Sequence, residues 1–211
     1  MKSLHDTYGC CFTLNCFNTN TSDSSYSISN LPSTYQSELQ GCKSWLRFAF
    51  HAEDDEANYN SSTGILTSYN TFVSAIYTLT GDYGCIDTMP RLGFFGGNLE
   101  NVLAIKNADH GIIGLLCADA TNRDSYYLDS AQNAIVQSKG KYLDAVNELI
   151  LLKSITRTVA NMVSEIEGNL CYQKYVEVFI HEPESISGFT AVATWAASHG
   201  YSNAFPCDIF K

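Results

Sequence analysis

Apolar runs alternate with amphipathic stretches along the whole chain. Six runs are short, β-branched or aromatic, and apolar on both faces: Cys10–Phe17, Leu46–His51, Leu92–Phe95, Gly111–Ala118, Glu148–Lys153 and Tyr175–His181. Strands of a parallel sheet covered on both sides read this way, whereas strands with one wet face alternate. Between the runs the period changes. Ile65, Leu66, Tyr69, Phe72, Val73, Ile76 and Tyr77 recur at helical spacing and predict a helix over Ile65–Leu79. Leu99, Val102, Leu103 and Ile105 form a second stripe behind Asn98, a residue type that caps helix N-termini. Phe189, Val192, Ala193 and Ala196 form a third, and a short helix is expected over Lys2–Tyr8.

Three junctions share a chemistry. His5, His110 and His199 each stand shortly before a glycine (Gly9, Gly111 and Gly200), and an apolar stretch follows. A left-handed glycine commonly closes a helix, and a histidine suits the negative end of the helix dipole. These three imidazoles are therefore read as helix-end residues rather than ligands. Repeated helix–glycine–strand units predict an α/β protein of mainly parallel strands, a pattern compatible with barrel-like closure. Asn18–Thr34, rich in Asn, Ser and Thr, reads as a long loop over the functional face. No linker or repeat divides the chain, so one domain is expected over residues 1–211.

Composition narrows the function. A chain of 211 residues that is 45% hydrophobic and 16% charged can bury a full core and is not intrinsically disordered. Its net charge of −10 has the wrong sign for gripping a nucleic-acid backbone. No run approaches the ~18 apolar residues of a membrane helix, and the first residues lack the apolar centre of a secretory signal. The eight cysteines are dispersed without a C-x-x-C pair, and Cys11, Cys16 and Cys117 sit in apolar runs. Reduced cysteines and a cytoplasmic location follow as expectations.

Two histidines differ from the other three. His51 ends the run Leu-Arg-Phe-Ala-Phe and precedes Glu53, Asp54 and Asp55; His181 ends Val-Glu-Val-Phe-Ile and precedes Glu182. Carboxyl ends of parallel strands form the functional face of α/β folds. Two such histidines beside carboxylates suit a divalent metal or an acid–base pair. They equally suit buried, hydrogen-bonded strand ends next to a solvated acidic loop. Asp119 follows another run at the same face, with loop capping as its other reading. Arg91 precedes Leu92–Phe95 and the pair Gly96-Gly97, but no phosphate-binding glycine motif is present. Ser125, Tyr126 and Tyr127 form an aromatic patch suited either to stacking on a sugar or to the core. No G-x-S-x-G elbow occurs.

Several segments together resemble the polysaccharide deacetylases and their bacterial relatives: Leu4-His-Asp-Thr-Tyr-Gly, Tyr26–Glu38 followed by Trp45–Ala52, Arg91-Leu-Gly-Phe-Phe-Gly-Gly-Asn, Leu116-Cys-Ala-Asp119 with Ser125-Tyr-Tyr-Leu, and Val178-Phe-Ile-His181-Glu182. The resemblance implies an irregular (β/α) barrel and a metal-dependent hydrolase that removes acetyl groups from a carbohydrate. It implies that His51 holds a zinc ion together with Asp55, or Asp54 with a shift. It further implies that His181 is the general acid, that Arg91 orients the site and that Asp119 lies at the same face. The family's Thr-Phe-Asp-Asp-Gly strand, which supplies a base and a metal ligand, has no counterpart in the 211 residues. A weak or inactive enzyme is expected, with two alternatives: a non-catalytic saccharide binder, or a fragment completed by another chain; a homodimer through an open strand edge is the partner this expectation allows.

Overall fold

The computed structural model describes residues 1–61, 63–119, 123–156, 161–169, 175–181 and 186–210. Helix α1 (Lys2–Tyr8) ends where Gly9 adopts φ 70° and returns its N–H to the His5 carbonyl. Only a residue tolerant of the left-handed region closes a helix so tightly. The chain then enters β1 (Phe12–Phe17). The polar stretch that follows carries 3-10 turns at Ile28–Asn30 and Ser33–Tyr35, and α2 (Gln36–Gly41) leads into β2 (Leu46–Ala52). Helix α3 (Ile65–Thr80) buries Tyr69, Phe72, Val73 and Ile76, and the rings of Tyr69 and Phe72 lie 5.6 and 5.8 Å from that of Phe50. Helix α4 (Leu99–Lys106) starts as its sequence predicts, with the Asn98 side chain accepting the Asn101 N–H at 2.9 Å. Next come β3 (Gly114–Cys117), α5 (Ser130–Lys139), β4 (Lys141–Asp144), β5 (Leu149–Lys153) and β6 (Ile155–Thr156). The last elements are α6 (Met162–Asn169), β7 (Val178–Phe179), α7 (Ser187–Ser198) and α8 (Pro206–Ile209).

The molecule is mixed α/β with parallel strands in small sheets: β1–β2, β3–β5–β4 and β6–β7. Among the described strands only β4 runs antiparallel, against β5. The connecting segment 86–90 ties the first two sheets together. Asp87 donates its N–H to the Phe48 carbonyl at 2.8 Å. On the other side the N–H groups of Ile113 and Leu116 reach the carbonyls of Thr88 and Pro90 at 2.9 and 3.0 Å. β6 follows β5 after a single residue. Neighbours therefore follow in series from β1 through β2, segment 86–90, β3 and β5 to β6 and β7. Among the described residues the ring does not close: β1 pairs with β2, and β7 with β6. Fully buried Phe50, Tyr69, Phe72, Ile76, Leu115 and Leu151 fill the main core.

Three local expectations need correction. Leu92–Phe95 is not a strand but a 3-10 turn over Gly93–Phe95, with Phe94 and Phe95 at φ 56° and 54°. Flanking glycines let this apolar run fold back, so that Phe95 is buried and Phe94 is exposed. At the second junction His110, not Gly111, takes the positive φ, 59°. Gly111 is required for a different reason: a Cβ there would lie 2.1 Å from the Lys106 carbonyl oxygen. At the third, Gly200 has φ 75°, but residues 201–205 form no strand. The seven described cysteines are free. No helix among the described residues is long and apolar enough to cross a membrane.

Candidate functional site

Because the paired strands run the same way, their carboxyl ends gather at one end of the series. A cleft of about 1250 Å³ opens between its two terminal members, lined by Thr13 and Asn15 of β1, by His51 and Arg91, and by Glu177 and His181 around β7. Aromatic side chains, among them Phe12, Phe189 and Trp195, form much of its wall.

His51, near the end of β2, is 6% exposed. Its Nδ1 meets the backbone carbonyl of Arg91, which fixes that nitrogen as the protonated one and leaves Nε2 as an acceptor. The Phe17 ring meets the imidazole edge-on at 4.8 Å. Burial, followed by the positive charge of Arg91, lowers the His51 pKa to about 3; the bond to the Arg91 carbonyl opposes the shift and His181 adds to it. His51 is therefore neutral at physiological pH.

Arg91 is anchored by its backbone, whose N–H donates to Asn15 Oδ1 at 3.0 Å. Its guanidinium lies 4.5 Å from the centre of the Phe179 ring and 5.4 Å from that of Phe95, a cation–π setting that holds the charge at the cleft. His181 is exposed and packs edge-on against Phe179 at 5.4 Å. Three residues singled out in the sequence, His51 near the end of β2, Arg91 after segment 86–90 and His181 beyond β7, thus share one cleft.

The other candidates lie elsewhere. Asp55 accepts the N–H and hydroxyl of Thr21 at 2.9 and 2.8 Å, bonds that lower its pKa. Asp54 accepts the Glu56 N–H at 3.0 Å. Both belong to the loop packed beside Asn18–Thr21, and neither lines the cleft. Asp119 is buried two residues beyond β3 and does not line it either. Glu182 falls outside the described residues. Ser125 and Tyr126 are core residues: Ser125 Oγ accepts the Ala118 N–H at 2.9 Å, and the Tyr126 hydroxyl donates to the Leu116 carbonyl. Tyr127 donates to Asp144 at 2.7 Å. The N–H of Gly97 is taken by Asn60 Oδ1 at 2.7 Å, which leaves it no role as an anion donor. The other three histidines stack on aromatic rings: His5, in the last turn of α1, on Trp45 at 4.8 Å, His110, beyond the end of α4, on Tyr83 at 3.7 Å, and His199, at the C-terminal end of α7 and on the cleft wall, on Trp195 at 4.4 Å.

Two acidic residues emerge only in three dimensions. Asp87 is 2% exposed; it accepts the Thr13 hydroxyl at 2.6 Å and the Met89 N–H at 2.9 Å. Burial raises its pKa in spite of these bonds. Glu177, on the cleft wall, is pushed up to about 8 by burial and by Asp87. No local pattern marks either residue; the one usable signal was the carboxylate inside the apolar run Tyr175–His181. Among the described residues no three His, Cys, Asp or Glu side chains gather to hold a metal ion. Compared with known proteins, the chain matches no protein-family profile, no characterised protein and no solved structure.

Proposed function

We propose that the cleft binds an acetylated oligosaccharide, and that the chain is a deacetylase-like binding protein with little or no hydrolytic turnover of its own. The observation that carries this reading is the meeting of His51, Arg91 and His181 in one cleft with aromatic walls. Flat apolar rings suit the faces of pyranose sugars, while Arg91 and His181 offer donors to carbonyl and hydroxyl oxygens. The motif resemblance supplies the acetylated carbohydrate as the ligand class.

A zinc ion fits the described residues poorly. His51 is neutral and oriented through Nδ1, as a ligating histidine is. However, Asp55 is held by Thr21 and Asp54 by the Glu56 N–H, both away from the cleft, and the Arg91 guanidinium sits beside the imidazole. Zinc takes at least three protein ligands within ~2.0–2.3 Å, and no such trio gathers among the described residues.

Calorimetric titration with N-acetylated chitotetraose tests the reading. Saturable binding is expected, weakened about tenfold or more by Arg91→Ala and by His181→Ala. Acetate release should stay at the buffer rate. Failure of the wild-type chain to bind acetylated chitooligosaccharides would overturn it.

A further inference from the structure

We infer that the cleft carries a cation site at Glu177, which takes a protonated organic amine whose apolar body lies against the aromatic wall. This goes beyond the saccharide reading and does not depend on it.

Glu177 is an acid without a counter-charge. It directly precedes β7, and its surface opens into the cleft. No described residue gives its carboxyl a hydrogen bond or an ion pair. Arg91, His181 and Lys141 line the same cleft, yet the one charged side chain that acts on Glu177 is Asp87, another acid. Asp87 is itself occupied: one oxygen accepts the Thr13 hydroxyl at 2.6 Å and the other the Met89 N–H at 2.9 Å. An enclosed carboxyl of this kind is costly to ionise until a cation reaches it. Burial and Asp87 accordingly push its pKa up to about 8.

The surroundings select the kind of cation. A divalent metal needs several oxygen ligands, and among the described residues no acidic, histidine or cysteine trio gathers. A single carboxyl suffices for an ammonium group. Tyr175 lines the cleft two residues before Glu177, with the Phe210 ring edge-on to it at 5.6 Å, and Phe179 lines it two residues after. Phe189 and Trp195 extend the same wall. Aromatic faces attract weakly hydrated organic cations and cover an apolar body. The net charge of −10 draws cations toward the chain.

Binding carries a proton signature. The amine enters as its ammonium form, and Glu177 releases its proton to solvent as the ion pair forms. Other titratable or charged groups facing the cleft or Glu177 are Asp87, Lys141, Arg91, His51, His181 and His199. Glu177→Gln leaves all of them in place, so a pH dependence that disappears with it belongs to Glu177.

The probe is phenethylamine, titrated calorimetrically into the full chain, with phenethyl alcohol as its neutral counterpart. Saturable amine binding is expected with a Kd below about 1 mM, at least tenfold tighter than that of the alcohol. Affinity should rise about tenfold or more between about pH 6 and pH 8, with proton release on binding. Glu177→Gln, which keeps the side-chain size, should weaken amine binding about tenfold, spare the alcohol and flatten the pH profile. If that variant does not fold, the amine-to-alcohol ratio and the proton release of the wild-type chain decide the matter. Absence of saturation at about 1 mM amine, equal affinity for amine and alcohol, or undiminished amine preference in Glu177→Gln overturns the inference. So does affinity that falls as pH rises toward 8. Amine binding without binding of acetylated chitooligosaccharides sinks only the saccharide reading, and the reverse result sinks only this one.

Discussion

β1 and β2 lie side by side, run the same way and are similarly apolar, yet only one is buried. In β2, Ala49 and Phe50 are 0% and 1% exposed, whereas every residue of β1 is half-buried. The difference lies in their neighbours. β2 is flanked by β1 and by segment 86–90 and is covered by α3. β1 has a strand on one side and the cleft on the other. Apolar content marks a residue run as fit for burial; the count of adjoining strands decides how much of it is realised. The two strands thus contribute differently: β2 carries more of the buried core, and β1 leaves more of its surface open to the cleft.

The largest expected effect is in β2. Phe50→Ala removes a ring in contact with Tyr69 and Phe72 and should cost about 3–5 kcal/mol in urea unfolding. The same truncation at Phe12 should cost less than half as much; equal costs would break the comparison.

Next in size is a pH effect from the end of β2. The His51 pKa falls from 6.5 to about 3 on folding, so between those values the unfolded chain binds more protons. Stability therefore declines as pH drops below 6.5, by up to about 1.4 kcal/mol per pH unit for one proton. His51→Asn, which keeps a donor for the Arg91 carbonyl, should flatten that decline. Glu177 acts in the opposite sense. Its raised pKa of about 8 favours the folded state at low pH, and that contribution is lost as pH rises through 8. Glu177→Gln should remove that slope, read from urea midpoints between pH 4.5 and 8, the window between the ordinary and the raised pKa.

Smaller again is Asn15→Ala, which deprives the Arg91 N–H of its acceptor and should cost about 1 kcal/mol. Smallest is Leu14→Ala on the half-buried strand, at about 1 kcal/mol or less.

Much of the parallel framework was legible in the sequence. β2, β5 and α3 are long or strongly patterned, and their bounds match the apolar runs closely. The α4 start was legible because Asn98 caps it through a local bond. Helix α5 went unread since it carries few apolar residues, although its capping box, Asp129 with Gln132, is a sequence signal. β4 alternates exposed and buried positions on a hairpin edge, and segment 86–90 is too short and too close to Pro90 to register. In the site, His51 and His181 were legible because strand ends converge in parallel sheets, and Arg91 was singled out by its place before an apolar run that proves to be a turn. Asp54 and Asp55 misled because adjacency in sequence placed them near His51, whereas the loop turns them toward Thr21. Asp87 and Glu177 are 90 residues apart in the chain and are brought together only by the fold.

The dispersed thiols give the molecule its own set of clocks. Cys117 sits on β3 with no exposure, and Cys207 is pushed up to about 12 by burial and the nearby Asp87. Such thiols hold almost no thiolate and react with an alkylating reagent only after the chain opens around them. Cys16 lies half-buried on β1 and Cys42 half-buried beyond α2. The order in which mass is gained at these positions therefore separates the loosening of one strand edge from the melting of the core, with no label added to the chain.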